Sequence, residues 1–282
     1  MEKIYGVIGD PIQHSMSPIM HNTAFRELGL EAHYHAFHIR KESIRRYIDA
    51  VRLLNISGFN VTVPHKTEIM EHLDHIDPLA NAIGAVNTVL NDNGRLIGYN
   101  TDGMGFVEAM QQEWKQDIVQ ENILIVGAGG ASRAIFYTLA SMGVQHIDIA
   151  NRTKEKAQSL IENCPFTIQS SALSIEEAAG QLEKYSAVIQ TTSIGMHPNT
   201  EEVPLKLDRL KAGTFVSDII YNPLETLFLS QAKKKGAIIQ NGVGMFVNQG
   251  AVAFNLWTKK NPNIQSMKNI VLDKLGGTHV NR

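Results

Sequence analysis

Short apolar runs alternate with apolar residues spaced three and four apart from one end of the chain to the other, the pattern of an α/β protein. Residues 4–8 read as a first strand. Ser17-Pro18 then predicts a helix cap followed by proline at the first helical position, with Met20, Ala24, Phe25 and Leu28 on one side. A second strand is expected over 34–39, and Ile44, Tyr47, Ile48, Val51 and Leu54 recur as on an amphipathic helix. In 58–63, Phe59, Val61 and Val63 point one way while Asn60 and Thr62 point the other. A parallel strand covered on both faces is apolar throughout, so two polar residues on one face indicate either solvent or a ligand.

Residues 86–90 and 95–99 flank Asn91-Asp92-Asn93-Gly94, a hairpin signal. Beyond Asp102 a helix carries Phe106, Met110 and Trp114. The second half opens with an apolar strand over 122–126, then Gly127-Ala-Gly-Gly-Ala131, then a helical stripe of Ile135, Leu139 and Met142. Further strands are expected at 146–150, 165–169, 186–190, 214–218 and 237–240, and six strands with crossovers fit a doubly wound sheet. Lys233-Lys234-Lys235 is expected to end a helix, where cations are favourable. On the last long helix, Phe246, Gly250, Ala253, Phe254 and Trp257 form a stripe. Gln249 on its border needs a hydrogen-bond partner, from a polyhydroxylated ligand or from another helix.

Composition narrows the class. The 282 residues suit about two domains, and 43% hydrophobic with 19% charged residues argues against disorder. A net charge of −2 gives no electrostatic footprint for nucleic acid or anionic membrane. The single cysteine, Cys164, excludes an internal disulfide framework and suits a reducing compartment. Met1-Glu2-Lys3 runs straight into a short apolar run without a signal-peptide pattern, and no stretch is apolar enough to span a membrane. A cytoplasmic protein is the expectation. The eleven histidines show no metal-ligand spacing, so no metal is expected.

The glycine-rich turn has the context a dinucleotide site requires, a strand before it and a helix after it. Gly127 permits the tight turn and Gly129 lets a pyrophosphate approach. Gly130 to Ser132 open a helix whose free N–H groups favour an anion. The alternative is a purely structural β–α turn. About 20 residues on, an NAD site carries an acid for the ribose 2′-hydroxyl. Here the chain reads Ala150-Asn151-Arg152-Thr153, with Lys154 and Lys156 following, and Asp148 falls too early, inside the strand. A guanidinium matches a 2′-phosphate, and cations in a first helical turn call for a compensating anion, so the cofactor is read as NADP.

Pro64-His65-Lys66 follows the half-polar strand and precedes a helical stripe of Ile69, Met70 and Leu73, which puts Lys66 near a helix N-terminus. A site that disfavours ammonium turns a lysine into an acid–base group, though an exposed lysine is the ordinary case. Asp102 reads as a helix cap, or as a carboxylate facing Lys66.

Together these segments resemble the shikimate dehydrogenase family over nearly the whole chain. The resemblance is carried by Gly9-Asp10-Pro11 with His14-Ser-Met-Ser-Pro18, Asn60-Val-Thr-Val-Pro64 with Lys66, Gly84-Ala-Val-Asn-Thr88 and Gly98-Tyr-Asn-Thr-Asp102. It continues through Gly127-Ala-Gly-Gly-Ala131, Asn151-Arg-Thr153, Tyr221-Asn-Pro223 and Gly242-Val-Gly-Met245 to Gln249. It implies reversible NADP-dependent reduction of 3-dehydroshikimate to shikimate, a step of aromatic amino-acid biosynthesis. Lys66 and Asp102 match the catalytic pair. Ser15, Ser17, Thr62, Asn87, Asp102, Tyr221 and Gln249 match substrate-binding groups, with Asn60 beside Thr62 on the same strand face. Gly127, Ala128, Gly129, Gly130, Ala131, Asn151, Arg152, Thr153, Lys156, Ile219 and Gly242 match cofactor contacts. Lys156 and Ile219 depart from arginine and methionine, the frequent family choices, which bears on NADP-over-NAD selectivity.

The implied architecture is an N-terminal α/β substrate domain plus a Rossmann-like doubly wound dinucleotide-binding domain. The substrate domain is expected over 1–101 with 237–282 returning to it, and the NADP domain over 102–236, the two crossings acting as a hinge. A small-molecule substrate is implied, with a monomer or a homodimer, the homodimer favoured because the early strands leave an edge for pairing. Two alternatives remain: an NAD(P)-dependent quinate/shikimate dehydrogenase, and a non-catalytic shikimate or dinucleotide sensor.

Overall fold

The computed structural model describes residues 2–276. They form two compact units: the chain up to Gly105 together with the part from Val247 onward, and Phe106–Phe246. These limits fall inside two helices, whereas the sequence division falls at the start of the first of them, at 101/102, and ahead of the last strand, at 236/237.

The first unit contains β1 (Lys3–Gly9), α1 (Ser17–Glu27), β2 (Ala32–His38), α2 (Ile44–Leu53), β3 (Gly58–Val61), β4 (His75–Ile76), α3 (Pro78–Ile83), β5 (Thr88–Asp92), β6 (Arg95–Tyr99) and the start of α4 (Asp102–Glu113). Its sheet runs β2-β1-β3-β5-β6-β4. The pairs β1–β2, β1–β3 and β4–β6 are parallel, while β3–β5 and β5–β6 are antiparallel. The β5–β6 hairpin turns at Asn93 (φ 53°) and Gly94 (φ 93°), the left-handed pair that the Asn-Gly signal requires. One core packs Ile44, Ile48 and Val51 of α2 against Ile8, Phe59 and Val89 of the sheet. Another gathers aromatic rings, with Tyr5 5.2 Å from both Phe25 and Trp257. The Trp257 indole donates to the Val89 carbonyl at 2.9 Å. Gly58 makes room for it, since a Cβ there would collide with the indole nitrogen.

In the second unit β7 (Asn122–Val126), α5 (Gly130–Ser141), β8 (His146–Ala150), α6 (Lys154–Glu162), β9 (Ala172–Leu173), α7 (Ile175–Ala179), β10 (Ala187–Gln190), β11 (Phe215–Asp218), α8 (Leu227–Lys234) and β12 (Ile238–Gln240) follow α4. The sheet is parallel throughout, in the order β12-β11-β10-β7-β8-β9. Counted from β7 this is the 3-2-1-4-5-6 order of dinucleotide folds. Its central strands are buried along nearly their whole length, which is why 123–126 and 187–189 are unbroken apolar runs. The chain ends with α9 (Gly242–Thr258) and α10 (Ile264–Lys274), the latter opened by the Asn263 side chain accepting from the Ser266 N–H. Among the described residues no helix is long and apolar enough to cross a membrane.

Several expectations need correction. Residues 165–169 do not form a strand. Pro165 lacks a donor, Gln169 makes a lone bridge to His146, and the regular ladder begins only at Ala172, whose side chain is buried. Ser17 is not a helix cap: Met16 holds that position without a side-chain bond, and Ser17 is the first helical residue. Val63 does not share a buried face with Phe59 and Val61; the strand stops at Val61 and Val63 is 69% exposed. The segment after Lys66 is a five-residue 3₁₀ turn over Glu68–His72, too short to supply the dipole argued for Lys66. Met142 lies past the end of α5 and is exposed rather than part of its stripe. β2 does lie at a sheet edge, but the Asn22 amide bonds both the N–H and the carbonyl of Tyr34 there, at 2.8 and 2.9 Å.

Candidate active site

In the first unit the polar face of β3 does not meet solvent. Asn60 is 7% exposed, its Oδ1 accepts from the Tyr34 hydroxyl at 2.7 Å, and its amide donates to the Thr88 hydroxyl and the Asn87 carbonyl at 2.9 and 3.2 Å. Asn87 is equally constrained. Its Oδ1 accepts from the Thr101 N–H at 2.8 Å and the Thr88 hydroxyl at 3.0 Å. A backbone N–H can only donate, so the Asn87 Nδ2 is turned the other way, and it reaches Asp102 Oδ1 at 2.7 Å.

Asp102 opens α4, and its N–H donates to the Asn100 side chain at 3.1 Å. Its other oxygen accepts from Lys66 Nζ at 2.6 Å. Lys66 follows β3 in a loop held by three bonds: the His65 N–H to the Thr62 carbonyl at 2.9 Å, the Val86 N–H to the Lys66 carbonyl at 2.8 Å, and the buried His65 Nε2 to the Ile39 carbonyl at 2.6 Å. The side chains of Lys66 and Asp102 are 31% and 17% exposed, so the pair is partly shielded yet reachable. An ammonium held against a carboxylate that also accepts an amide is arranged to give and take a proton at a fixed point.

Ser17 is buried, and its N–H donates to the Ser15 hydroxyl at 3.3 Å. Thr62 stands just beyond β3, half-buried. Gln249 lies on α9 directly against Gly105 of α4, one turn past Asp102. The structure therefore links Lys66, Asp102, Asn87 and Asn60 by hydrogen bonds, with Tyr34 bonded to Asn60. Tyr34, Thr88, Thr101 and Asn100 carry this network, and the sequence pattern does not single them out.

In the second unit Gly127 has φ 114°, and a Cβ there would lie 2.5 Å from the Thr191 hydroxyl. Ser132 is buried in the first turn of α5 and donates to the Gly127 carbonyl at 2.8 Å. Around a Cβ placed on Gly129 or Gly130 nothing lies within 4 Å, leaving open space at the helix N-terminus. A cavity of about 730 Å³ is lined by Gly127, Ala128, Gly129, Asn151, Arg152 and Lys156, and Thr153 also faces it. Ala131 follows in the same helical turn without lining it. Arg152 and Lys156 make no ion pair among the described residues, whereas Lys154 is engaged by Glu177 at 2.7 Å. Asp148 is occupied within the sheet by the Tyr185 hydroxyl and the Ser171 N–H. The donor set fits an extended polyanion: glycine backbone for phosphates, and two uncommitted cations with no carboxylate at the end of β8; Glu176 also lines the cavity, its carboxylate accepting from the Ser174 hydroxyl.

A second cavity of about 440 Å³ is lined by Thr191, Met196, Ile219 and Tyr221. Gly242 seats α9 against this loop, since a Cβ there would collide with the Ile219 carbonyl. Asp218, just before Ile219, is fully buried. It accepts from the Ile220 N–H at 3.0 Å and the Thr226 hydroxyl at 2.8 Å, yet burial pushes its carboxyl up to about 6. Among the described residues no cluster of three His, Cys, Asp or Glu side chains could hold a metal ion.

Three family models match the chain: "Shikimate dehydrogenase substrate binding domain" over residues 7–89, "Shikimate / quinate 5-dehydrogenase" over 109–219, and "Shikimate 5'-dehydrogenase C-terminal domain" over 242–272. Shikimate dehydrogenase (NADP(+)) of Bacillus cereus strain AH187 is 57% identical over 277 residues, covering 98% of this chain and 100% of that protein. The shikimate 5-dehydrogenase of Listeria monocytogenes, solved with shikimate and NAD, is 36% identical with a TM-score of 0.88, covering 96% of each chain. That of Thermus thermophilus, solved with NADP(H) and shikimate, is 34% identical with a TM-score of 0.85, covering 96% of this chain and 99% of the other.

Proposed function

The chain belongs to the shikimate dehydrogenase family, and from that premise we propose that Lys66 and Asp102 are the proton-handling pair of its reaction. The protein is an oxidoreductase that reversibly reduces 3-dehydroshikimate to shikimate with NADPH. When bound, the nicotinamide cofactor supplies the hydride to the ketone carbon. Negative charge then grows on the ketone oxygen, where the Lys66 ammonium donates a proton; in the reverse direction Lys66 takes that proton from the alcohol. Asp102 orients the ammonium through its 2.6 Å contact and balances the charge left as the proton moves. Asn87 holds Asp102 in that orientation from the other oxygen.

Ser15, Ser17, Asn60, Thr62, Asn87, Tyr221 and Gln249 bind the carboxylate and ring hydroxyls. Gly127, Ala128, Gly129, Gly130, Ala131, Asn151, Arg152, Thr153, Lys156, Ile219 and Gly242 hold NADP, with Arg152 and Lys156 on the 2′-phosphate. The domain division at 101/102 and 236/237, a homodimer and a cytoplasmic location complete the proposal; sedimentation of the full chain tests the dimer.

The observation that carries this reading is the Lys66–Asp102–Asn87 constellation, whose partners arrive from the loop after β3, the start of α4 and the residue just before β5. A second reading, use of NAD or of quinate, is favoured by the matched family description that names quinate and by the relative solved with NAD. Following nicotinamide absorbance with shikimate or quinate, each with NADP or NAD, decides between them. The shikimate–NADP pair is expected to give the highest kcat/KM, and a higher value for any other pair rejects the specificity stated here.

A further inference from the structure

Tyr34 lies on β2 and is in part a core aromatic: 1% exposed, with its ring 4.4 Å from that of His21. Its hydroxyl, however, reaches one of the residues assigned above to the substrate. It donates to Asn60 Oδ1 at 2.7 Å. Tyr34 comes from β2 and Asn60 from β3, so the bond reaches across β1, which lies between those strands in the sheet.

The bonding also fixes what Asn60 can offer. Its two amide hydrogens go to the Asn87 carbonyl and the Thr88 hydroxyl, and one lone pair of Oδ1 accepts from Tyr34. What remains is a single lone pair on Oδ1. The Asn87 carbonyl can only accept, so it keeps the amide nitrogen on its side, and the phenol donor adds the hold on Oδ1; without that donor the oxygen is free to turn within the site.

We propose that Tyr34 is a positioning residue for substrate recognition: its hydroxyl holds the Asn60 side-chain oxygen in place as an acceptor for a substrate hydroxyl. This rests on the reading of Asn60 as a shikimate-binding group. Tyr34 itself touches no reacting atom.

A double-mutant cycle with Tyr34→Phe and Asn60→Ala tests it, measuring KM and kcat for shikimate and KM for NADP in the full chain. Tyr34→Phe keeps the ring and its stacking, and is expected to raise KM for shikimate about tenfold, with kcat within about twofold and KM for NADP unchanged. In the Asn60→Ala background the same substitution is expected to add nothing. Placing 4-aminophenylalanine at position 34 restores a ring-borne donor and is expected to recover most of the affinity. If Asn60→Ala raises KM but Tyr34→Phe multiplies it by the same factor in both backgrounds, the positioning role is overturned while the substrate reading stands. If Asn60→Ala leaves KM unchanged, the substrate reading of Asn60 is overturned and this inference with it. If Tyr34→Phe shifts KM for NADP equally, the effect is on the fold as a whole, and the proposal fails.

Discussion

Lys66 Nζ stands 2.6 Å from Asp102 Oδ2 across 36 positions of sequence. Asn87 fixes the far oxygen of the same carboxylate, so the ammonium has one well-defined site rather than a choice of rotamers. If that site hands a proton to the ketone oxygen, Lys66→Met, which keeps much of the stem, removes the donor and little else. General acid–base groups contribute about 10²–10⁴-fold, and kcat is expected to fall within that range with KM for shikimate within about threefold. Steady-state kinetics in the oxidative direction check it. A rise in KM with kcat preserved makes Lys66 a binding residue.

The cofactor assignment rests on Arg152 and Lys156, exposed at the start of α6 with no carboxylate nearby on β8 to receive a ribose hydroxyl. Arg152→Asp replaces a cation that matches a phosphate with a charge that repels it. KM for NADP is expected to rise by about tenfold or more while KM for NAD stays level or falls. Because the site is exposed, added salt is expected to narrow the wild-type preference for NADP as screening sets in. Unchanged NADP affinity in Arg152→Asp removes the guanidinium from the site.

Gly105 and Gln249 set a third expectation. A Cβ on Gly105 would collide with the Gln249 backbone nitrogen and lie 2.5 Å from its Cα, and backbone cannot give way as a side chain end can. On an exposed helix, glycine to alanine would stabilise by up to about 1 kcal/mol. Here Gly105→Ala is expected to cost about 1–3 kcal/mol and to raise KM for shikimate, because α9 must move away and take Gln249 with it. Urea unfolding and KM measured on the same preparation test both halves. A stabilised variant with normal KM would show that the two helices separate freely.

These contacts mark where sequence reading stops. The hairpin at 91–94 and the glycine turn at 127–131 are legible because a special backbone conformation restricts the residue types that can occupy it, as Asn93 and Gly127 show. The parallel strands of the second unit are legible because burial on both faces leaves an apolar run. What escapes are features decided by tertiary partners. Residues 165–169 have strand composition, yet the bonds they make to β8 are regular only from Ala172. Tyr34 and Thr88 have the periodicity of core strand residues, and nothing local says that their hydroxyls orient asparagines. Sequence leaves the pairing of Lys66 with Asp102 as one of two options for Asp102, and only the sheet that brings β3 beside β5 decides it.

His21 provides a prediction in pH. The ring is fully buried, and neither nitrogen has a hydrogen-bond partner among the described residues. Burial pushes its imidazole down to about 3. The unfolded chain therefore takes up a proton below about pH 6.5 while the folded chain does not, and stability is lost as pH falls from there towards 3. At pH 5 the gap of roughly 1.5 units corresponds to a loss of about 2 kcal/mol. Asp218 acts with the opposite sign. Its carboxyl is raised to about 6, so the folded chain holds the proton longer, and its contribution is present at low pH and lost as pH rises from about 4 through 6. The raw stability profile mixes the two, and the difference between variant and wild type separates them. His21→Leu removes the titrating ring and its orphaned nitrogens, and is expected to gain on wild type by about 2 kcal/mol between pH 7 and pH 5. Asp218→Asn is expected to lose on wild type as pH is lowered over the same range. Denaturant unfolding of the three proteins at half-unit pH steps measures both differences. Parallel profiles for His21→Leu and wild type would show that the buried imidazole does not set the acid limit.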